Sequence, residues 1–337
     1  MKRAPEGGAN FMIASLRRGP GAAILAAGFV LAAAACAPAS ADTALTVGKA
    51  NPTSDAIIPV DIGNELGIFK KHGLDLKIID FGGGSKMAQA IAAGSIDIGD
   101  GAGTEMAFVA KGAPMLAVCE STGPAPFLGV GVPWDSPVKT LDDLKGKLIG
   151  VSSPGSFSDW SAHRLAAYKG WGPNGVKTVG IGGGSAPAIA AFRTHQVDAD
   201  IAGTSLFLSM EETKAGRLVA PVSVFEGNVA SGALFASDHL MKTDPAAIRA
   251  FLAAWVETAD YMRAHKAETV KITSRITHFS ESVMSREYDL TIGMHTHDCS
   301  FDAESLATLK KSFVELHLLP TEPDMSKLYT DAYLPKK

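Results

Sequence analysis

Apolar and polar positions alternate in short runs along the first two thirds of the chain, and stretches of helical spacing separate those runs. Residues 44–48 (ALTVG) and 74–79 (LDLKII) read as strands. Between them, residues 59–72 (PVDIGNELGIFKKH) carry apolar positions at helical spacing, and Gly73 follows as a natural stop. A glycine turn, residues 82–85 (GGGS), leads into a short Ala/Ile helix over 87–93, with Ser85 as its expected N-cap. Residues 96–99 (IDIG) form the next strand, and residues 101–105 (GAGTE) open another helix.

The same order returns further along. Residues 176–179 read as a strand, 182–185 (GGGS) as the turn, 188–192 as a helix and 197–201 (VDADI) as a strand, and Gly203, Thr204 and Ser205 open the next helix. This is a degenerate repeat at domain scale. Strands alternating with short helices imply parallel βα units, one set in each half. From about residue 240 the period becomes helical throughout. Asp244 and Pro245 suit the cap and first turn of a long helix over 246–263, and helices follow over 268–275, 285–292 and 303–316. A helical final third is expected to wrap one lobe.

Glycines and a serine at a helix start expose backbone N–H groups at the positive end of the helix dipole, which is an anion site in principle. Neither copy has P-loop spacing, and neither has the dinucleotide fingerprint with its distant acid, so no nucleotide cofactor is expected. A third turn is richer. Residues 143–159 (DLKGKLIGVSSPGSFSD) run strand, turn, helix, with Ser153, Gly155, Ser156 and Ser158 crowding the helix start.

This stretch, with residues 63–76 (GNELGIFKKHGLDL), 93–99 (AGSIDIG), 141–151 (LDDLKGKLIGV) and 244–251 (DPAAIRAF), resembles a known family. It is that of the periplasmic substrate-binding proteins of ABC importers for nitrate, taurine and aliphatic sulfonates, related to thiamine-precursor binding proteins. The pieces span most of the chain in the right order. The resemblance implies an α/β, two-lobed type II periplasmic binding protein fold with the ligand cleft between the lobes. Crossings are expected near 127–133 and 222–234, with lobe 1 over 42–130 plus 231–337 and lobe 2 over 131–230. The repeated glycine turn is then two jaws of one site, at the strand edge where open α/β sheets take ligands.

On the first jaw the resemblance implies Asn51, Ser54, Asp55, Gly83, Gly84, Ser85 and Thr104 as ligand-binding residues. Across the cleft it implies Ser153, Gly155, Ser156, Phe157, Ser158 and Thr204. Hydroxyls and backbone N–H groups can ring a sulfonate, nitrate or carboxylate without a buried cation. Phe157 and Trp160 could cover an apolar tail, although Trp160 reads better as core. Glu105 and Asp55 complicate a purely anionic ligand: an acid facing the cleft would ask for an amine as well, as taurine has. Otherwise they are first-turn acids favoured by the helix dipole. The implied function is to bind a small solute as a monomer and pass it to ABC permease transmembrane subunits. A thiamine-precursor pyrimidine is the alternative ligand, and a membrane receptor the alternative partner.

Composition narrows the field. A chain 46% hydrophobic and 20% charged describes a soluble globular protein with a sizeable core. The formal net charge is −4, with no basic tract interleaved with aromatics, so nucleic acid is not an expected partner. Aromatic residues make up 7%, which argues mildly against a stacked pyrimidine. No Gly-x-Ser-x-Gly elbow and no His-Glu-x-x-His is present, and no catalysis is expected. His295, His297 and Cys299 would share a face on a strand, but no fourth ligand is spaced nearby and no metal is expected. Cys119 and Cys299 leave two readings open: one bridge, or two independent thiols, with Cys119 packing as a small hydrophobe.

The N-terminus carries Lys2, Arg3, Arg17 and Arg18, an apolar run over 21–35, and Ala39-Ser40-Ala41 before Asp42. That order reads as a cleavable signal peptide over residues 1–41, hence a periplasmic protein, with lipid attachment at Cys36 as the alternative to cleavage after Ala41.

Overall fold

The computed structural model describes residues 42–52, 54, 56–124 and 127–335. The expected signal peptide, with Cys36, lies outside the described residues. No helix among the described residues is long and apolar enough to cross a membrane.

The strands are β1 (Thr43–Lys49), β2 (Leu74–Asp80), β3 (Ile98–Gly101), β4 (Met115–Thr122), β5 (Leu128–Pro133), β6 (Leu148–Val151), β7 (Lys177–Gly180), β8 (Ala199–Gly203), β9 (Gly216–Pro221) and β10 (Gly232–Ser237). They form two five-stranded mixed sheets, ordered β2-β1-β3-β10-β4 and β7-β6-β8-β5-β9. The two orders correspond strand for strand. In each sheet three parallel strands lie second, first, third, and an antiparallel strand then intervenes before the last. The repeat seen in the sequence is therefore a repeat of topology. The antiparallel strand of the first sheet, β10, comes from the chain's return; that of the second, β5, comes directly after its departure.

The central strands are buried on both faces, because helices cover both sides of each sheet: all four residues of the parallel strand β3 are buried, as are all six of the antiparallel strands β5 and β10. The long helix Pro245–Ala264 lays Ile248, Phe251, Leu252 and Trp255 against Leu45, Val47, Ile98 and Leu234 of the first sheet. Phe251 meets Phe69 with ring centroids 5.0 Å apart. Asp244 caps this helix by accepting from the Ala247 N–H at 3.0 Å.

Three local expectations are corrected. The helix over 59–72 is two helices, Pro59–Glu65 and Ile68–Lys71, because Gly67 adopts a left-handed φ of 71° between them. Ser85 is not an N-cap: Gly83, at φ 143°, takes that position, the helix runs Gly84–Ala92, and Ser85 falls in its first turn. The helical final third does not wrap one lobe. Lys266–Thr277 and Glu281–Thr291 contribute Val270, Val283 and Met284 to the core around Phe192 and Phe207 beside the second sheet. The helix Ala303–Glu315 meets the helix Phe157–Tyr168, where Trp160 Nε1 donates to Ser312 Oγ at 2.9 Å. Trp160 is thus core.

Cys119 on β4 and Cys299 form a disulfide with Cα atoms 4.5 Å apart, which settles the open pairing. It also separates the three candidate metal ligands. His295 is buried with its ring edge against Trp255, while His297 is exposed beside Asp260.

Candidate ligand cleft between the two sheets

The parallel strands end at one place. Ala50 and Asn51 follow β1, Gly84 follows β2, and Gly101, Ala102 and Glu105 end and follow β3. From the other sheet come Ser152, Ser156, Phe157 and Ser158 after β6, Gly182, Gly183 and Gly184 after β7, and Asp200 to Gly203 on β8. With Ser54, Ala56, Ile57, Phe127, Leu128 and Ser231 they line one cleft that opens to solvent. Four helices begin at its wall: Gly84–Ala92, Phe157–Tyr168, Ser185–Arg193 and Thr204–Thr213. Their first N–H groups and dipoles therefore converge on the cleft.

The two glycine turns meet across it. A Cβ on Gly82 would lie 3.7 Å from the Gly183 nitrogen, and one on Gly83 would lie 2.1 Å from Ser153 Oγ. Ser85 Oγ and Ser153 Oγ are 2.7 Å apart in a buried hydrogen bond that ties the two jaws. The jaws are closed on one another in this conformation. Backbones can come this near only where no side chain intervenes, which is why glycine recurs on both sides.

Six of the expected residues line the cleft: Asn51, Ser54, Gly84, Ser156, Phe157 and Ser158. Gly83, Ser85 and Ser153 instead make the contact between jaws. Thr104 is buried and donates to Glu105 Oε2 at 3.2 Å. The Gly155 N–H donates to Asp159 Oδ2 at 2.8 Å, and the Thr204 N–H donates to the Phe127 carbonyl at 2.7 Å. These three shape the walls from behind. Asp55 lies outside the described residues.

Ser152, Ser156 and Ser158 form a hydroxyl cluster. Ser152 Oγ donates to Ser156 Oγ at 2.9 Å, and Ser158 Oγ accepts from the Ser152 N–H at 2.9 Å. Ser156 also caps its helix by accepting from the Asp159 N–H. Phe157 stacks on Trp160 at 5.4 Å and faces Phe127 at 6.3 Å, giving the cleft one aromatic wall.

Two acids reach the cleft, and the described lining holds no lysine, arginine or histidine. Glu105 is buried and its carboxyl is pushed up to about 7 by desolvation, against the pull of the Ala102 N–H and the Thr104 hydroxyl. Asp200 is likewise pushed up to about 7 by desolvation, opposed by the Ile201 N–H. The nearby Lys49 is committed elsewhere: it is buried, 2.5 Å from Asp61 and 3.2 Å from Asp80. From the sequence, Glu105 fits either the cleft or a helix start. Asp200, Ser152, Ser231 and Phe127 also line the cleft and were not among the expected residues. Nothing local marks Asp200, the second residue of β8, as a cleft residue.

Residues 55–269 match the profile of the family described as NMT1/THI5 like. A Brucella abortus protein with a provisional binding-protein name is 25% identical over 228 residues, 67% of this chain and 69% of that one. A 4-amino-5-hydroxymethyl-2-methylpyrimidine phosphate synthase of Saccharomyces cerevisiae is 25% identical over 298 residues, 82% of this chain and 84% of its own. The alkanesulfonate-binding protein SsuA from Xanthomonas axonopodis pv. citri, solved bound to MOPS, superposes with a TM-score of 0.73 at 19% identity, covering 87% and 99% of the two chains. The fold is therefore that of the two-lobed periplasmic binding proteins.

Proposed function

The chain belongs to the NMT1/THI5-like family, and from that premise we propose that it is a periplasmic solute-binding protein delivering a small oxyanion-bearing organic solute to an ABC importer. One observation carries this reading: four helix starts and a serine cluster converge on a single solvent-open cleft at the C-terminal edge of two matched sheets. Backbone N–H groups and hydroxyls so arranged can hold a sulfonate or carboxylate without a basic side chain. SsuA, named for alkanesulfonate binding, has the same fold and lends support.

The mechanism follows from the jaw contact. Closure brings the glycine turns together, buries the solute and presents a loaded surface to the permease, a hinge motion between two states. The moving bodies would be the lobes over 42–130 plus 231–337 and over 131–230, except that β5 and the helices Lys266–Thr277 and Glu281–Thr291 would travel with the second sheet, and residues 1–41 would be removed on export. The protein acts as a monomer and leaves its solute chemically unchanged. A second reading, binding of a thiamine-precursor pyrimidine, draws on the aromatic wall of Phe127 and Phe157 and on the yeast relative's name.

Thermal unfolding of protein refolded free of carried-over solute tests both. The panel is taurine, alkanesulfonates, nitrate, aromatic carboxylates and hydroxymethylpyrimidine. A ligand at a thousand times its Kd adds about 4 kcal/mol of stability. Stabilisation by an anion, recovered intact by mass spectrometry, is the expected result. A response to the pyrimidine alone moves the protein to the second reading, and recovery of a chemically altered ligand overturns the binding-only role.

A further inference from the structure

We propose that the solute also carries a protonated amine, and that Glu105 and Asp200 take it up, one carboxyl from each jaw. This rests on the solute-binding reading of the cleft. An anion alone would be a poor match for the lining as it stands. The described lining offers two carboxyls and no basic side chain, and both carboxyls are withdrawn from water. A buried carboxylate without a cationic partner is costly, and an ammonium group held between two such carboxylates relieves both.

The surroundings keep these acids in the cleft. A Cβ on Gly84 would fall 1.5 Å from Glu105 Oε1, and one on Gly150 would fall 3.0 Å from Asp200 Oδ1. Each acid thus occupies space left by a glycine on the neighbouring segment. Glu105 is oriented by the Ala102 N–H at 2.9 Å and the Thr104 hydroxyl at 3.2 Å, both on Oε2. Glu105 sits after β3 in the first sheet and Asp200 on β8 in the second. The amine would therefore be gripped only when the jaws are shut. Glutamine at 105 can still accept the Ala102 N–H, so its role in the local turn survives loss of charge.

Other charged groups nearby are accounted for. Lys49 is engaged by Asp61 and Asp80, Asp100 is buried off the lining beside Gly101, and Asp55 lies outside the described residues. The binding energy then has a definite dependence on pH. Raising pH through about 7 ionises Glu105 and Asp200, so an ammonium solute binds more tightly at pH 8 than at pH 6, and a bare anion less tightly.

Matched pairs test this by isothermal titration of the mature protein: taurine against ethanesulfonate, and β-alanine against propionate. The amine-bearing member is expected to bind at least about tenfold more tightly, the scale of a charge-assisted hydrogen bond. Glu105→Gln and Asp200→Asn, each checked for an unchanged far-UV spectrum, should abolish that preference. Equal or better binding of the amine-free members overturns the inference while the oxyanion reading stands. Binding of a simple amine or an amino-pyrimidine without any oxyanion, lost in Glu105→Gln, keeps the carboxyl grip and removes the oxyanion reading. If no amine-bearing compound binds protein that is shown to be folded, the inference fails.

Discussion

Gly84 has no room for a methyl group. The added carbon would overlap Glu105 Oε1, so Gly84→Ala must push the carboxyl out of its place in the cleft. The expected result is a solute affinity lowered at least about tenfold, with about 1–3 kcal/mol lost from the free protein, as overpacking costs. Gly293→Ala, far from the jaws, is the control, since a Cβ there meets nothing within 4 Å. Titration calorimetry on the pair reads the difference. The buried acids also set how stability varies with pH. Glu105, Glu120 and Asp200 are pushed up to about 7 and Glu226 to about 8, each mainly by desolvation. An acid whose folded pKa is raised binds its proton more tightly in the native state. Its stabilisation is therefore full below the unfolded value of 4.5 or 3.8 and is lost as pH rises through about 7 to 8. His295, held down to about 3 by burial first and Arg263 second, works the other way: its contribution is lost as pH falls below 6.5. Melting points should fall from pH 6 to about pH 8 and then level off, and Glu226→Gln should flatten the upper part of that fall. A melting temperature independent of pH over this range would contradict the burial of these acids.

At the scale of elements, the contact between the two glycine turns matters more than either turn alone. Ser85 and Ser153 join the start of the helix Gly84–Ala92 to the turn after β6. Neither lines the cleft, so Ser153→Ala should act on closure and not on the solute directly. Loss of one buried hydrogen bond, about 1 kcal/mol, corresponds to roughly fivefold weaker binding. Small-angle scattering should show the solute-free variant more open than the wild type. An unchanged affinity and an unchanged profile would mean that the bond is incidental to closure. The helix Pro245–Ala264 offers a separate check. Asp244→Ala removes its cap and should cost about 1 kcal/mol in denaturant unfolding, with solute affinity untouched. Most elements were legible in the sequence because their causes are local. The cap at Asp244, the stop at Gly73 and the alternation over 74–79 each act within a few residues. The break at Gly67 was missed because Leu66 and Ile68 continue the helical spacing on both sides of it.

For the molecule as a whole, the disulfide ties together distant parts of the first sheet's side. Cys119 on β4 and Cys299 are separated by 180 residues, so the bridge constrains most of the described chain when unfolded. Replacing both with serine should cost about 2–5 kcal/mol, and reduction with a phosphine should lower the melting temperature of the wild type but not of the variant. Equal melting temperatures before and after reduction would show that the bridge adds nothing. Taken alone, the sequence determined the two matched α/β halves, the repeated glycine turn, the helical end and most of the element boundaries, while the facing of the two turns came only with the family resemblance. Periodicity, caps and turn residues are short-range effects, and here they agree with one another. Only the tertiary structure decided which residues share the cleft. Ser153 left the lining for the jaw contact because Gly83 lets it approach. Glu105 and Asp200 entered the cleft because Gly84 and Gly150, far from them in sequence, left space for their carboxyls. The final helices were divided between the two sheets because their apolar faces found separate cores around Phe251 and Phe207. Such choices depend on which surfaces remain uncovered once the chain has folded back, and no window of neighbouring residues contains that information.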